Sequence, residues 1–108
     1  MLLKIDTTIH KEVKVELKDP KNGKVQKLVQ KQKLGSQVLL PMIIKILKKN
    51  ELDLKDLTAI EVNLGPGSFT GTRVGVSVAN ALGFALDIPV NGKKGKIVMP
   101  IYEKSKFD

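Results

Sequence analysis

The sequence predicts a single α/β domain, and three observations carry that prediction. Between residues 13 and 18, apolar residues alternate with charged ones, which is typical of a strand with one buried face. Two further stretches, about residues 36–49 and 69–86, are apolar over lengths that suit helices rather than strands. The chain has 108 residues, which is the size of one domain that buries about two thirds of the surface exposed by its unfolded chain.

Four strands are predicted from the residues themselves. Residues 2–6 form an apolar run that ends in an acid, as in a buried central strand. Residues 24–31 are expected to run antiparallel to residues 13–18, because the segment between them reads Asp-Pro-Lys-Asn-Gly, a series of turn residues. Residues 58–64 carry apolar side chains at every second position and form the fourth strand.

Both predicted helices are apolar around most of their circumference. The apolar side chains of the first helix occupy an arc of roughly 240°, whereas one packed face requires a stripe of only ~100°. Pro41 is tolerable in this helix only within the first turn. In the second helix, a ridge of small residues recurs every four positions and would let another helix approach closely; the ridge consists of Gly71, Gly75, Ala79 and Gly83. We therefore expect a subunit contact through one or both helices, the alternative being that the ridge packs only against the chain's own helix or sheet.

The positive charge of the chain has two competing interpretations. A net charge of +8 favours polyanionic partners such as nucleic acid, through attraction that does not depend on base sequence. The alternative is a solvated, lysine-rich surface, since nearly all the basic residues are lysines spread along the chain and mixed with acids. Arg73 is the only arginine, which suggests that its planar fork of donors is needed to bind a carboxylate, a carbonyl or a phosphate.

The composition argues against several kinds of site. The absence of cysteine excludes disulfides, thiolate metal sites and cysteine nucleophiles. His10 is the only histidine, so neither a Ser/His/Asp set nor a pair of histidine metal ligands is credible. No apolar stretch is long enough to span a bilayer and the N-terminus lacks the layout of a signal peptide, so a soluble cytoplasmic protein is expected. We predict no catalytic residue, no metal and no cofactor.

A glycine-rich turn precedes the second helix, and residues 65–75 read Gly-Pro-Gly-Ser-Phe-Thr-Gly-Thr-Arg-Val-Gly. Glycines on both sides of a proline allow positive φ next to a residue fixed near −65°, which predicts a tight strand-to-helix turn. Ser68 or Thr70 is expected to cap the helix, and the free amides at its start could receive an anion. The segment lacks the lysine of a Walker loop and the spacing of a dinucleotide fingerprint. The signature turn comprises Gly65, Pro66, Gly67, Ser68, Phe69 and Thr70.

This segment resembles the signature of the bacterial TsaB (YeaZ) family, relatives of the glycoprotease family. Residues 3–8 resemble the family's Ile-Asp-Thr-Ser start, residues 36–41 its His-Ser-Glu-x-Leu-Leu-Pro helix, and residues 85–90 the strand after the signature helix. The resemblance implies a single RNase H-like lobe of the actin-like ATPase type, with five strands in the order 3-2-1-4-5, the second antiparallel, and two main helices. It covers residues 1–92, and residues 93–108 are expected to be a divergent lysine-rich tail in which residues 97–102 could add a short edge strand and the charged end is mobile.

The resemblance also implies a role. Family members resemble noncatalytic partners of TsaD, the enzyme that installs threonylcarbamoyl on adenosine 37 of tRNAs decoding ANN codons. The expected partner is a TsaD-like catalytic subunit, a second copy of this chain, or both, with at most weak contact to tRNA and none to a membrane. The predicted interface residues are Leu39, Leu40, Ile43, Ile44, Leu47, Gly71, Arg73, Gly75, Ala79 and Gly83.

Differences from the family pattern leave alternatives open. Gly35 stands where the family often has His, and Gln37 replaces its Glu. Asp6 ends the first strand where actin-like ATPases have their first phosphate loop, but the loop has no glycine, so we expect Asp6 to cap the strand end rather than to contact a nucleotide. The alternative functions are a basic RNase H-like module that binds nucleic acid through the lysine-rich hairpin, and a truncated lobe without independent activity.

Overall fold

Seven elements follow one another in the computed structural model, which describes residues 1–101. They are β1 (Leu2–Asp6), β2 (Glu12–Lys18), β3 (Val25–Lys31), α1 (Gly35–Lys49), a short 3-10 turn (Leu54–Asp56), β4 (Ala59–Val62) and α2 (Phe69–Leu86). The strands form one mixed sheet in the order β3-β2-β1-β4, in which β4 runs parallel to β1 and the other neighbours are antiparallel. The α/β class, the four strands and both helices predicted from the sequence are confirmed.

The turn between β2 and β3 forms as its residue types predict. The Asp19 carboxylate accepts a hydrogen bond from the Lys21 amide at 2.8 Å, and the Gly23 amide donates to the Asp19 carbonyl at 2.8 Å. Gly23 has a φ of +72°, which is accessible to glycine at no steric cost. Local turn chemistry therefore sets the register of the hairpin, in which Lys18 lies opposite Val25.

Both helices cover the same face of the sheet. Along β1, Leu3 and Ile5 are buried towards the helices, while Leu2, Lys4 and Asp6 point to the opposite face. The buried side of α1 follows the i, i+3, i+4 pattern and packs into this core; it consists of Leu39, Met42, Ile43, Ile46 and Leu47. The lobe therefore has two layers within residues 1–101, with one face of the sheet free of helices.

Pro41 is tolerated outside the first turn of its helix, contrary to the expectation from the sequence. It lies in the second turn of α1, not the first, and the helix continues through it to Lys49. Proline has no N–H to donate, so the carbonyl four residues earlier, on Gln37, lacks its helical partner. Both residues are exposed, and water can hydrogen-bond that carbonyl instead.

The predicted fifth strand is wrong for the described chain, where only a single bridge forms between Val90 and Ile60 of β4. The Val90 amide and carbonyl each pair with Lys93 at 3.0 Å, so the chain turns back immediately after the bridge. The turn residues Asn91 and Gly92 have φ values of +51° and +78°, as a two-residue hairpin turn requires. This reversal limits pairing with β4 to one residue.

The Asn91 side chain continues the ladder that the missing strand would have made. Its Nδ2 donates to the Val62 carbonyl at 3.0 Å, and its Oδ1 accepts from the Val62 amide at 2.8 Å. A carboxamide carries the same donor and acceptor as a peptide unit. The end of β4 is therefore satisfied by a side chain rather than by a neighbouring strand.

Residues 97–101 are not in a strand, and Val98 among them packs against α2. Asn80 of α2 donates to the Val98 carbonyl at 2.9 Å and accepts from the Val98 amide at 3.0 Å, and the Val98 side chain is buried. The Ile101 amide donates to the Leu64 carbonyl at 2.6 Å. Tyr102, the last residue of the expected edge strand, and the charged end lie outside the described residues.

Candidate functional site

The signature turn lies directly on the loop that follows β1. The Ser68 amide donates to the Thr8 carbonyl at 2.6 Å, and a Cβ on Gly67 would stand 2.5 Å from that same carbonyl oxygen. Gly65 has a φ of +95°, and a Cβ there would lie 2.8 Å from the Ile101 carbonyl oxygen. Positive φ is thus found at Gly65 but not at Gly67, where glycine is required by the close approach of two backbones.

Ser68 caps α2, whereas the sequence had allowed either Ser68 or Thr70 as the capping residue. Its hydroxyl accepts a hydrogen bond from the Gly71 amide at 3.2 Å. Capping of this kind satisfies one of the amides left without a helical partner at a helix start. Of the remaining residues of the signature turn, Pro66 is exposed before the helix, and Phe69 and Thr70 are exposed in the first turn of α2.

The ridge of small residues on α2 faces the chain's own sheet. The Thr7 hydroxyl donates to the Gly71 carbonyl at 2.5 Å and accepts from the Gly75 amide at 3.1 Å, so it lies between two groups that α-helical geometry would pair with each other. A Cβ on Gly71 would collide with the Thr7 carbonyl oxygen, and one on Gly75 with the Thr7 hydroxyl. Gly83 makes the same kind of close approach to the Val90 side chain. These glycines permit α2 to dock on β1 and on the segment after α2.

Asp6 is held in a network of local hydrogen bonds at the end of β1. Its Oδ1 accepts from the Thr8 amide at 2.9 Å and from the Thr8 hydroxyl at 2.7 Å, while its Oδ2 accepts from Asn63 at 3.1 Å. Burial raises the pKa of Asp6, but these hydrogen bonds and the charge of Lys14 outweigh it, so the pKa lies below its ordinary value. The capping role predicted for Asp6 is confirmed.

The ten predicted interface residues divide into two groups. The chain itself already buries most of them: Leu39, Ile43, Leu47, Gly75, Ala79 and Gly83. Leu40 is 49% exposed, Ile44 is half-buried and Arg73 is exposed, while Gly71 is half-buried against Thr7. Their role in a subunit contact stays a prediction, and the structure restricts what a partner could reach.

An apolar strip remains on the outer side of α1 and comprises Leu40, Pro41 and Ile44; we call it the α1 strip. Together with Lys45, Lys48 and Lys49 it lines a shallow groove of about 720 Å³. On α2, the Arg73 guanidinium lies 5.1 Å from the centre of the Phe69 ring, one helical turn away. Arg73 is therefore at the surface, and its binding of a carboxylate, carbonyl or phosphate stays a prediction.

The face of the sheet opposite the helices carries charged residues of both signs in alternation. One row across the four strands reads Lys27, Glu16, Lys4 and Glu61, with ion pairs of 3.6 Å at both ends. Lysines in two neighbouring rows also lie opposite acids: Lys14 opposite Asp6, and Lys31 opposite Glu12. Opposite charges across strands attract, so this face, with its groove of about 530 Å³, presents little net positive charge.

Within residues 1–101, no three His, Cys, Asp or Glu side chains lie close enough together to hold a metal ion. His10 is exposed beside the start of β2. Across the same residues, neither helix has the length and hydrophobicity that crossing a membrane requires.

Sequence reasoning missed several side chains that hold the site together. Thr7, Asn80 and Asn91 each make paired hydrogen bonds to a distant backbone segment. For Asn91 a signal exists in the sequence, since Asn-Gly after an apolar run is a strong turn signal. For Thr7 and Asn80 no local pattern distinguishes them from other polar residues.

The chain is similar in sequence and in structure to proteins of known family. A sequence model described as TsaD: tRNA N6-adenosine threonylcarbamoyltransferase matches residues 12–92. The tRNA threonylcarbamoyladenosine biosynthesis protein TsaB of Haemophilus influenzae is 44% identical over 59 residues, which are 55% of this chain and 25% of that protein. A tRNA N6-adenosine threonylcarbamoyltransferase of Nitrosospira multiformis is 44% identical over 66 residues, covering 58% of this chain and 19% of that protein.

The solved structure of YeaZ from Pseudomonas aeruginosa superposes on the chain with a TM-score of 0.76 at 35% identity, covering 82% of this chain and 42% of that one. The similarity to the TsaB relative spans about a quarter of that protein's length. The resemblance found at the glycine-rich turn is confirmed by the fold as well as by the sequence. The chain therefore belongs to the TsaB/YeaZ group of the TsaD family.

Proposed function

We propose that this chain is a noncatalytic scaffold subunit of the cytoplasmic machinery that makes N6-threonylcarbamoyladenosine at position 37 of tRNA. In this role it binds a TsaD-type catalytic subunit, or a second copy of itself, through the exposed side of its helices. The α1 strip is the observation that carries the proposal, because α1 has already buried one face in the core and still exposes Leu40 and Ile44. Apolar side chains grouped on one side of a surface helix are typical of a protein contact.

The geometry of the signature turn supports a structural rather than a catalytic role for this motif. The residues of the motif make contacts within the fold: Gly67 contacts the Thr8 backbone, Ser68 caps α2, and Gly71 and Gly75 accommodate Thr7. The Asp6 carboxylate is engaged by Thr8 and Asn63. The motif thus fixes α2 on β1 and sets which sides of the helices are exposed.

The charge distribution favours this role over nucleic-acid binding by the hairpin. Three of the four lysines on β2 and β3, namely Lys14, Lys27 and Lys31, lie opposite acids across the sheet, whereas Lys18 lies between Leu2 and Val25, so the two strands do not form a continuous basic patch. Phosphate binding needs several lysines that are free to neutralise phosphates.

The proposal is tested by light scattering after size-exclusion chromatography, on this chain alone and mixed with the TsaD protein of the same organism. We expect a complex with TsaD or a homodimer, and we expect Leu40→Asp combined with Ile44→Asp to abolish it. The control is Val25→Asp combined with Val29→Asp, which places the same two charges on β3 side chains that are 49% and 41% exposed. A monomer in both experiments, or an equal effect of the control, would contradict the proposal.

A further inference from the structure

The dipeptide Asn-Gly occurs twice in the chain, each time in a turn. Asn22-Gly23 lies at the tip of the hairpin between β2 and β3, and Asn91-Gly92 forms the reversal after Val90. An asparagine before a glycine loses its side-chain amide readily, because glycine has no side chain to hinder attack of its backbone nitrogen on the asparagine carboxamide. In the sequence alone, the two dipeptides are equally prone to this reaction.

The Asn91 carboxamide is held by the fold. Its Oδ1 and Nδ2 are both hydrogen-bonded to the Val62 backbone, and the Asn91 amide donates to the Ile60 carbonyl at 2.8 Å. The residue is half-buried at the end of β4. Before the Gly92 nitrogen can attack the Asn91 carboxamide, that carboxamide must leave Val62. The reaction therefore requires local opening, and its rate falls with the fraction of time that the segment is closed.

The Asn22 carboxamide is held only by its own turn. Asn22 and both of its neighbours are exposed, and its Oδ1 accepts a hydrogen bond from the Lys24 amide, two residues later, at 2.8 Å. The carboxamide thus lies against the backbone that follows it, and an N–H at Oδ1 stabilises the negative charge that this oxygen gains during attack. The Gly23 amide donates to the Asp19 carbonyl at 2.8 Å, so a local motion must free it. Such a motion costs little at an exposed loop tip.

The charges at the hairpin tip favour the same reaction. Three lysines, Lys18, Lys21 and Lys24, are accompanied there by one acid, Asp19. The Asp19 carboxylate already accepts a hydrogen bond from the Lys21 amide. The attacking nitrogen must give up its proton, and the attacked oxygen becomes negative. Nearby positive side chains lower the free energy of both changes.

We propose that Asn22 is a site of spontaneous deamidation in the folded chain and that the fold protects Asn91 from the same reaction. The Gly23 nitrogen bonds to Cγ of Asn22, the Cγ–Nδ2 bond breaks, and the proton of the Gly23 amide leaves with the side-chain nitrogen as ammonia. Water then opens the resulting succinimide ring. Attack of water at the main-chain carbonyl of residue 22 gives isoaspartate, and attack at Cγ gives aspartate. Water is the only other reactant.

Both products change the hairpin. Each places a carboxylate among the three lysines of the tip and lowers the net charge of +8 by one. Isoaspartate also inserts a methylene group into the main chain of the turn that sets the register of Lys18 opposite Val25. We therefore expect the backbone pairs nearest the turn to loosen in the modified chain, while the helices and the α1 strip stay unchanged.

The experiment incubates the chain at physiological temperature and mildly alkaline pH, and follows both asparagines by mass spectrometry of a proteolytic digest. Replacement of the side-chain NH2 by OH identifies the products, and fragmentation separates isoaspartate from aspartate. The reference is the same chain unfolded in urea, where neither asparagine is held. We expect Asn22 to react roughly tenfold faster than Asn91 in the folded chain, and the two rates to agree within about twofold in urea.

A control variant separates the two sites. Asn22→Ser removes the reactive carboxamide, and we expect the folded variant to release ammonia slowly while Asn91 stays protected. Circular dichroism verifies that the variant is folded. Equal rates at Asn22 and Asn91 in the folded chain would overturn the inference. So would an Asn22 that reacts in urea but stays intact in the folded chain. Neither result bears on the proposed scaffold function, because the reaction requires no partner.

Discussion

The hydroxyl of Thr7, the residue that follows β1, accepts a hydrogen bond from the backbone amide of Gly75 in α2 at 3.1 Å. It also donates to the carbonyl of Gly71, so one side chain inserts into the hydrogen-bond ladder of the helix. Such close contact is possible only because neither helical residue has a Cβ on the side facing β1. The glycine-rich motif therefore serves first to dock α2 on the central strand.

Gly75→Ala is expected to destabilise the lobe by about 1–3 kcal/mol, because the new methyl group would occupy the position of the Thr7 hydroxyl. The higher helix propensity of alanine offsets up to about 1 kcal/mol of this cost. Gly35→Ala is the control, since a Cβ there would meet its nearest neighbour, Val74, at 3.4 Å. Urea unfolding measures both variants, and equal stability of the two would refute the steric argument.

Thr7→Val is expected to lower the free energy of unfolding by about 1 kcal/mol, because it removes a buried hydroxyl with two hydrogen bonds and keeps the side-chain shape. Thr7→Ser retains the hydroxyl and should preserve the protection of the Gly75 amide from hydrogen exchange. The measurement compares the hydrogen-exchange rate of the Gly75 amide in Thr7→Val with the rate in Thr7→Ser. If it exchanges equally fast in both, the hydroxyl does not hold the helix.

The Asn91 side chain is expected to contribute about 1–2 kcal/mol to stability through its two hydrogen bonds with Val62. Asn91→Gly isolates this contribution, since glycine tolerates the φ of +51° at this position. Asn91→Asp keeps the acceptor but places a carboxylate oxygen against the Val62 carbonyl, so it should destabilise at neutral pH. Hydrogen exchange at the Val62 amide is the readout. Full protection of that amide in Asn91→Gly would show that the Asn91 side chain does not hold the end of β4.

Asp6 is expected to make the stability of the lobe depend on pH in the acid range. Because its pKa in the folded lobe lies below the ordinary value, the unfolded chain binds the proton more readily. The stabilisation is therefore fully present above the ordinary pKa of about 4 and is lost as the pH falls through the lowered folded pKa. Urea unfolding of the wild type and Asp6→Asn between neutral pH and pH 2 should give a stability difference that shrinks on acidification. A difference that is constant with pH would contradict this assignment.

Sequence reasoning located the elements well where the signal is local. The hairpin followed from the alternation in β2 and the turn residues after it, and the second helix was found at its observed bounds, Phe69–Leu86. It was wrong to expect that Pro41 is tolerated only in the first turn of α1, because the Gln37 carbonyl that loses its helical partner is exposed to water. It also extended the sheet by one strand too many, because residues 85–90 match the family pattern while the reversal at Asn91 depends on two residues.

The sequence by itself determined four strands, two helices, a cap at Ser68 or Thr70 and the family, because periodicity, turn residues and motif spacing are properties of neighbouring positions. Only the tertiary structure decided where the glycine ridge of α2 faces and which apolar residues of α1 stay exposed. Thr7 and Gly75 are 68 positions apart, and no local pattern encodes which of two apolar helix faces meets the sheet. Once α2 docks on β1 through that contact, its ridge is buried within the chain, while Leu40 and Ile44, on the outer side of α1, remain available to a partner.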